Sequence, residues 1–119
     1  MICVIFEVTP TLEGKSEYFK IANELKAILS EVNGYISIER FQSLSDPDTF
    51  LSLSFWENET AIKQWRENFE HKIAQEKGKK EIFLHYRIRV GHIIRDYGGE
   101  NIERRSVSQV VQKTQQERK

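Results

Sequence analysis

The order in which hydrophobic periodicity changes along this chain constrains its fold more than any single residue does. A short apolar run opens the first strand, Ile2–Val8, and apolar residues then recur at three- and four-residue spacing from Gly14 to Glu31. Alternation marks Tyr35–Gln42 and again Phe50–Trp56. Helical spacing follows from Asn58 to Lys77, and a last alternating run begins near Ile82. Period-two patterns bury one face of a strand, and the longer period buries one stripe of a helix. The order is therefore βαββαβ. This predicts an α+β, ferredoxin-like split-βαβ arrangement: a four-stranded antiparallel sheet with two helices on one face.

Local chemistry sets the boundaries. Pro10 cannot donate to a ladder and is expected to stop the first strand after Val8. Tyr18, Phe19, Ile21, Ala22, Leu25, Ile28 and Leu29 form the apolar stripe of the first helix, opposite Lys15, Glu17, Lys20, Glu24 and Lys26. Asn33-Gly34 supplies a residue that tolerates positive φ and closes it. Ser45-Asp46-Pro47-Asp48 is a turn, making a hairpin of the second and third strands. Asn58 reads as an N-cap with Glu59 complementing the helix dipole. Ala61, Ile62, Trp65, Phe69 and Ile73 trace the buried face of the second helix, with a break expected near Asn68 and an end at Gly78. On the third strand Leu51, Leu53 and Phe55 share one face, and Phe50, Ser52, Ser54 and Trp56 the other.

The 119 residues suit one domain, placed at residues 1–97, followed by a polar tail at 98–119. Gly98-Gly99 forms a hinge, and Val107, Val110 and Val111 are the tail's apolar stripe, so it is expected to be flexible or packed on a partner subunit. A sheet with helices on one side leaves the other side bare. A domain of this size buries only about two thirds of its unfolded surface, so a second copy covering that face, a homodimer, is expected.

With 18 basic and 18 acidic residues the formal charge is zero, which gives no bias toward nucleic acid or anionic membrane. Cys3 is the sole cysteine, excluding an internal disulfide and a thiolate metal cluster and fitting a reducing, cytoplasmic home. The apolar run Ile2–Phe6 lacks a basic leader and is cut short by Glu7, so it reads as a strand rather than a signal peptide or a membrane span. His85 and His92, seven apart on a strand, face opposite ways, and no metal site is expected.

An ordered set of residues resembles the antibiotic biosynthesis monooxygenase (ABM) domain over roughly residues 1–97. The set is Phe55-Trp56-Glu57 closing the third strand, Ala61, Trp65, His71 and Ala74-Gln75 on the second helix, and Tyr86, Arg87 and Val90 on the last strand. The resemblance implies a dimeric α+β barrel with two sheets face to face and a pocket between sheet and helices in each subunit. It also implies a monooxygenase that oxidises polycyclic phenols to quinones with molecular oxygen and no metal or flavin. A second activity in the superfamily, haem binding and ring opening, uses a strand-one Asn, a helix Trp and a helix His. Here Glu7 takes the strand position, Trp65 matches, and His71 follows more closely than that pattern has it. Haem is therefore the subordinate alternative.

Oxygenation without a cofactor requires a phenol to lose its proton, so that the anion can pass an electron to oxygen. That calls for a base or cationic donors around an apolar slot. The candidate catalytic residues are Trp65, His71 and Tyr86; the candidate substrate-binding residues are Glu7, Phe69 and Arg87. Each has a structural reading beside it. Trp65 is a slot wall or plain core, and His71 a base or a surface or capping residue. Six residues of unbroken helix would hold His71 about 120° from Trp65, so the two converge only if the helix breaks. Tyr86 lies on the apolar face of the last strand with Ile88, Val90 and His92, where a buried polar tip needs a partner. His85, Arg87 and Arg89 share the other face and are free to pair with Glu39 or another strand carboxylate. Glu7 either pairs with a cross-strand arginine or serves the pocket as a carboxylate. Beside the enzyme stands a non-catalytic dimeric module that binds an apolar small molecule.

Overall fold

Alternation along the first strand drives Ile2, Val4, Phe6 and Val8 into the core while Cys3, Ile5 and Glu7 stay half-exposed on the other face. A computed structural model describes residues 1–77 and 82–99; the expected helix end at Gly78 and nearly all of the 98–119 tail lie outside the described residues. The elements are β1 (Ile2–Pro10), α1 (Lys15–Leu29), β2 (Tyr35–Gln42), β3 (Phe50–Trp56), α2 (Glu59–Lys77) and β4 (Phe83–His92). The sheet runs β2-β3-β1-β4, and every neighbouring pair is antiparallel. This is the expected ferredoxin-like order, with both helices over the face that carries Val4 and Phe6.

Several boundaries differ from expectation for local reasons. β1 continues through Pro10, because the pairing with β4 shifts register between Thr9 and Pro10 and such irregularities tolerate a residue without an N–H. α1 ends at Leu29 rather than Glu31: the amides of Glu31 and Val32 turn back to the Ile28 and Leu29 carbonyls at 3.1 and 3.0 Å. Gly34 then takes the positive φ of 102° that starts β2. At the head of α1, Gly14 is chosen for space. A Cβ there would lie 2.7 Å from the backbone of Ile82, where β4 approaches the β1–α1 turn.

α2 is capped as its sequence predicts, with the Ala61 amide donating to Asn58 Oδ1 at 2.9 Å. The expected break near Asn68 is absent. The helix is continuous, and the Asn68 side chain bonds back to the Gln64 carbonyl at 2.8 Å instead of interrupting the ladder.

The inward face of β3 is the one that carries serines. Phe50, Ser54 and Trp56 are buried, whereas Leu51, Leu53 and Phe55 lie half-exposed on the open face. Buried polar groups must be bonded, and these are: Trp56 Nε1 donates to Ser54 Oγ at 2.9 Å, and that hydroxyl reaches the Val4 carbonyl at 3.5 Å.

Candidate functional site

The helices do not seal fully against the sheet. Ser52 on β3 is too short to fill the layer beneath them, and a cavity of about 40 Å³ remains. Phe6 of β1, Ile38 and Arg40 of β2, and Ser52 form its floor. Tyr18, Ile21, Ala22, Leu25, Lys26 and Leu29 of α1, with Trp65 and Phe69 of α2, form its walls and roof. A water takes a share of about 30 Å³ in the liquid, so the cavity as it stands holds little more than one.

The walls are an aromatic cluster centred on Phe6. Its ring lies 6.3 Å from Trp65, 5.1 Å from Phe69 and 5.7 Å from Tyr86, all tilted or edge-on. Tyr18 joins through Phe83 at 6.0 Å and Phe50 at 6.3 Å. Such edge-to-face contacts stabilise a cluster beyond its area. They also fix the outline of any space left inside it.

Four polar side chains, Tyr18, Lys26, Arg40 and Ser52, stand at this otherwise apolar space. Burial raises the Tyr18 phenol's pKa, while the positive charge of Arg40 works the other way. Arg40 is held on β2 by a 2.8 Å bond from Nη2 to Asn23 Oδ1, and its guanidinium lies over the Phe19 ring at 5.8 Å. Sequence reasoning passed over Tyr18, Arg40 and Ser52. Tyr18 sat within the ordinary core stripe of the helix, and nothing in the alternation of β2 and β3 marked their inward faces as cavity-lining.

The residues singled out from sequence do not form one constellation. Trp65 and Phe69 line the cavity, each about 5% exposed. Tyr86 packs against Phe6, Phe69 and Phe83 at the β4 edge but is half-exposed. Glu7 and Arg87 lie opposite each other in register on the far side of the sheet. There Glu7 accepts from Arg89 Nη1 at 2.8 Å, a cross-strand pairing. A shallow hollow of about 290 Å³ on that side is lined by Glu7, Phe41 and Leu51 among others.

His71 is exposed on α2. Because the helix is unbroken, His71 and Trp65 point about 120° apart rather than converging. Glu7, Trp65 and His71 therefore do not fit a haem site, since they face three different surroundings. Among the described residues no three His, Cys, Asp or Glu side chains cluster as metal ligands, and no helix is long and apolar enough to cross a membrane.

The model of the antibiotic biosynthesis monooxygenase family matches residues 1–77, from β1 through α2. The chain belongs to the ABM family. An ABM protein of Pyricularia oryzae described as a jasmonate monooxygenase is 36% identical over 104 residues, 87% of this chain. This chain spans only about half of that relative, 48% of its length. Solved structures agree on the fold at low identity. A Mycobacterium tuberculosis protein superposes with a TM-score of 0.68 at 12% identity, covering 82% of this chain and 98% of its own. SnoaB, a cofactor-independent oxygenase from Streptomyces nogalater, superposes with a TM-score of 0.65 at 7% identity, covering 80% of this chain and 94% of its own. The cavity of this ABM domain thus lies between sheet and helices, bounded by elements within the family match.

Proposed function

We propose that this ABM-family chain is a monooxygenase that oxidises a small apolar molecule, phenol- or quinol-like, in the cavity between sheet and helices. The observation that carries the reading is the cavity itself, walled by Trp65 and Phe69 on the helix that the family match includes. In this reading no metal or flavin takes part. A phenolic methylene compound gives up its proton, its anion passes an electron to oxygen, one oxygen atom becomes the new carbonyl, and the other leaves as water. The substrate supplies every electron, so the protein's work is to hold the ring system, exclude water and favour the anion.

Trp65 and Phe69 serve as the flat walls, with Tyr86 at the β4 end of the same ring cluster. His71, Glu7 and Arg87 stand outside this space and have no part in the chemistry. A ring system needs several times the present volume, since ligand pockets run to about 300 Å³ and more. Binding therefore parts the helices from the sheet. The protein acts as a homodimer in the cytoplasm, its bare sheet faces packed together.

The smallness of the cavity favours a second reading, a dimeric module that binds an apolar molecule without turnover. Oxygen uptake by metal-free protein separates the two, measured across hydroxylated polycyclic aromatics and with jasmonate included because of the relative's name. Substrate-dependent uptake that falls in Trp65→Phe supports the enzyme. Saturable binding without uptake selects the module.

A further inference from the structure

Two cations border this cavity, and neither is paired with a carboxylate among the described residues. Lys26, from the last turn of α1, and Arg40, from the edge strand β2, both line it. Among the described residues the ion pairs are Arg66–Glu70, Lys72–Glu24 and Arg89–Glu7, so neither cation has a carboxylate within 4.0 Å. Glu24, which flanks this stretch of α1, is already held by Lys72 at 3.0 Å. The local balance at the rim is positive even though the chain as a whole is neutral.

Arg40 is also prepositioned. Asn23 fixes one Nη, and stacking over Phe19 fixes the plane, which leaves the other N–H donors of the fork unspent. A guanidinium so held recognises a carboxylate by two parallel hydrogen bonds. Behind it the lining is apolar, from Ile21 and Leu25 to Phe6, Trp65 and Phe69.

We propose that Arg40, assisted by Lys26, anchors the carboxylate of an otherwise apolar substrate whose body enters between Phe6, Trp65 and Phe69. The proposal rests on reading the cavity as the substrate slot and adds the class of molecule that fits it. Arg40 is exposed on the edge strand, yet it has both a ring beneath it and an amide clamp, and it lies on the helix side of the sheet beside Ser52, its cross-strand partner in register.

The test titrates the full-length protein by calorimetry with two isosteric pairs, 2-naphthoate against 2-naphthamide and decanoate against decanamide. Each carboxylate is expected to bind about tenfold tighter than its amide, with the advantage shrinking as salt is raised. Arg40→Gln brings the acid down to the affinity of its amide, Arg40→Lys restores part of the difference, and Trp65→Phe weakens acid and amide alike. Equal binding of acid and amide, both weakened by Trp65→Phe, overturns the anchor and keeps the slot. A carboxylate preference that survives in the Lys26→Gln/Arg40→Gln double variant places recognition elsewhere and also overturns it. No binding of any probe to folded protein overturns anchor and slot together.

Discussion

The Trp65 indole stacks with the Phe69 ring, their centroids 5.5 Å apart and their planes 8° from parallel. One turn of α2 thus presents two near-parallel rings to Phe6, each meeting it in a T-shaped contact, and both border the cavity. Stacking inside a core and walling a slot are compatible roles, and substitutions separate them. Trp65→Ala removes a buried indole and should cost about 3–5 kcal/mol of unfolding free energy. Trp65→Phe keeps an aromatic ring in place and should cost less than the alanine variant, its loss set by the smaller cavity it leaves, while weakening ligand binding well beyond that share. Denaturant unfolding and binding titration on the same two variants check the separation. Equal losses in both measurements would reduce Trp65 to packing alone.

Space rather than backbone conformation fixes Gly14. Its φ of −89° suits any residue, but an added Cβ would meet Ile82 Cα, Ile82 O and Thr11 Oγ1, each at 2.7 Å. Two of those atoms are backbone and cannot swing aside. Gly14→Ala is therefore expected to cost about 1–3 kcal/mol. Gly91→Ala is the internal control: nothing lies within 4 Å of its new methyl, and stability should stay within about 0.5 kcal/mol of the parent. Thermal or denaturant melts of the pair decide it.

The strand and helix order was legible from the sequence because one-sided burial writes its period directly into the residues. β2 and β3 matched to the residue, since Gly34 and the Ser45–Asp48 turn bracket them chemically. The inward face of β3 was much less legible. Leu51, Leu53 and Phe55 look more like core than Phe50, Ser52, Ser54 and Trp56, but a sheet with two apolar faces gives composition no power to choose. Trp56 decides it, fully buried with its indole N–H satisfied by Ser54. The site followed the same logic. Trp65 and Phe69 could be read from helical spacing, whereas Arg40 and Ser52 matter through what lies across the sheet from them. His71 was tied to Trp65 through a helix break that Asn68 does not make.

Tyr18 makes stability depend on pH at the alkaline end. Its phenol has an ordinary pKa of 10.0, and burial raises it in the folded state, with Arg40 opposing. A raised folded-state pKa means that the unfolded chain releases this proton first as pH rises. The stability contribution is then fully present below the unfolded pKa and is lost as pH climbs from there through the folded one. Denaturation midpoints should accordingly be level in this respect at neutral pH and decline above about 10. Tyr18→Phe, which keeps the ring and removes the proton, should decline less over the same range. An identical alkaline slope in parent and variant would remove Tyr18 from the account.

Leu53 is the residue on which the homodimer reading is most exposed to refutation. It lies at the middle of β3, opposite Ile5 on one side and Glu39 on the other, on the sheet face that neither helix covers. Leu51, Phe55 and the partly exposed Phe41 extend the same apolar surface. A second copy packed there would desolvate this row, and a carboxylate in its centre would then be buried without a partner, which costs several kcal/mol at an interface. In a free subunit the same carboxylate would stay solvated and cost little. Sedimentation at micromolar concentration should therefore give two-chain mass for the parent and one-chain mass for Leu53→Glu, with the variant's aromatic near-ultraviolet signature retained because the Trp65–Phe69 stack lies across the sheet. A parent that sediments as one chain would defeat the reading outright. A variant that remains a dimer would move the interface to another face.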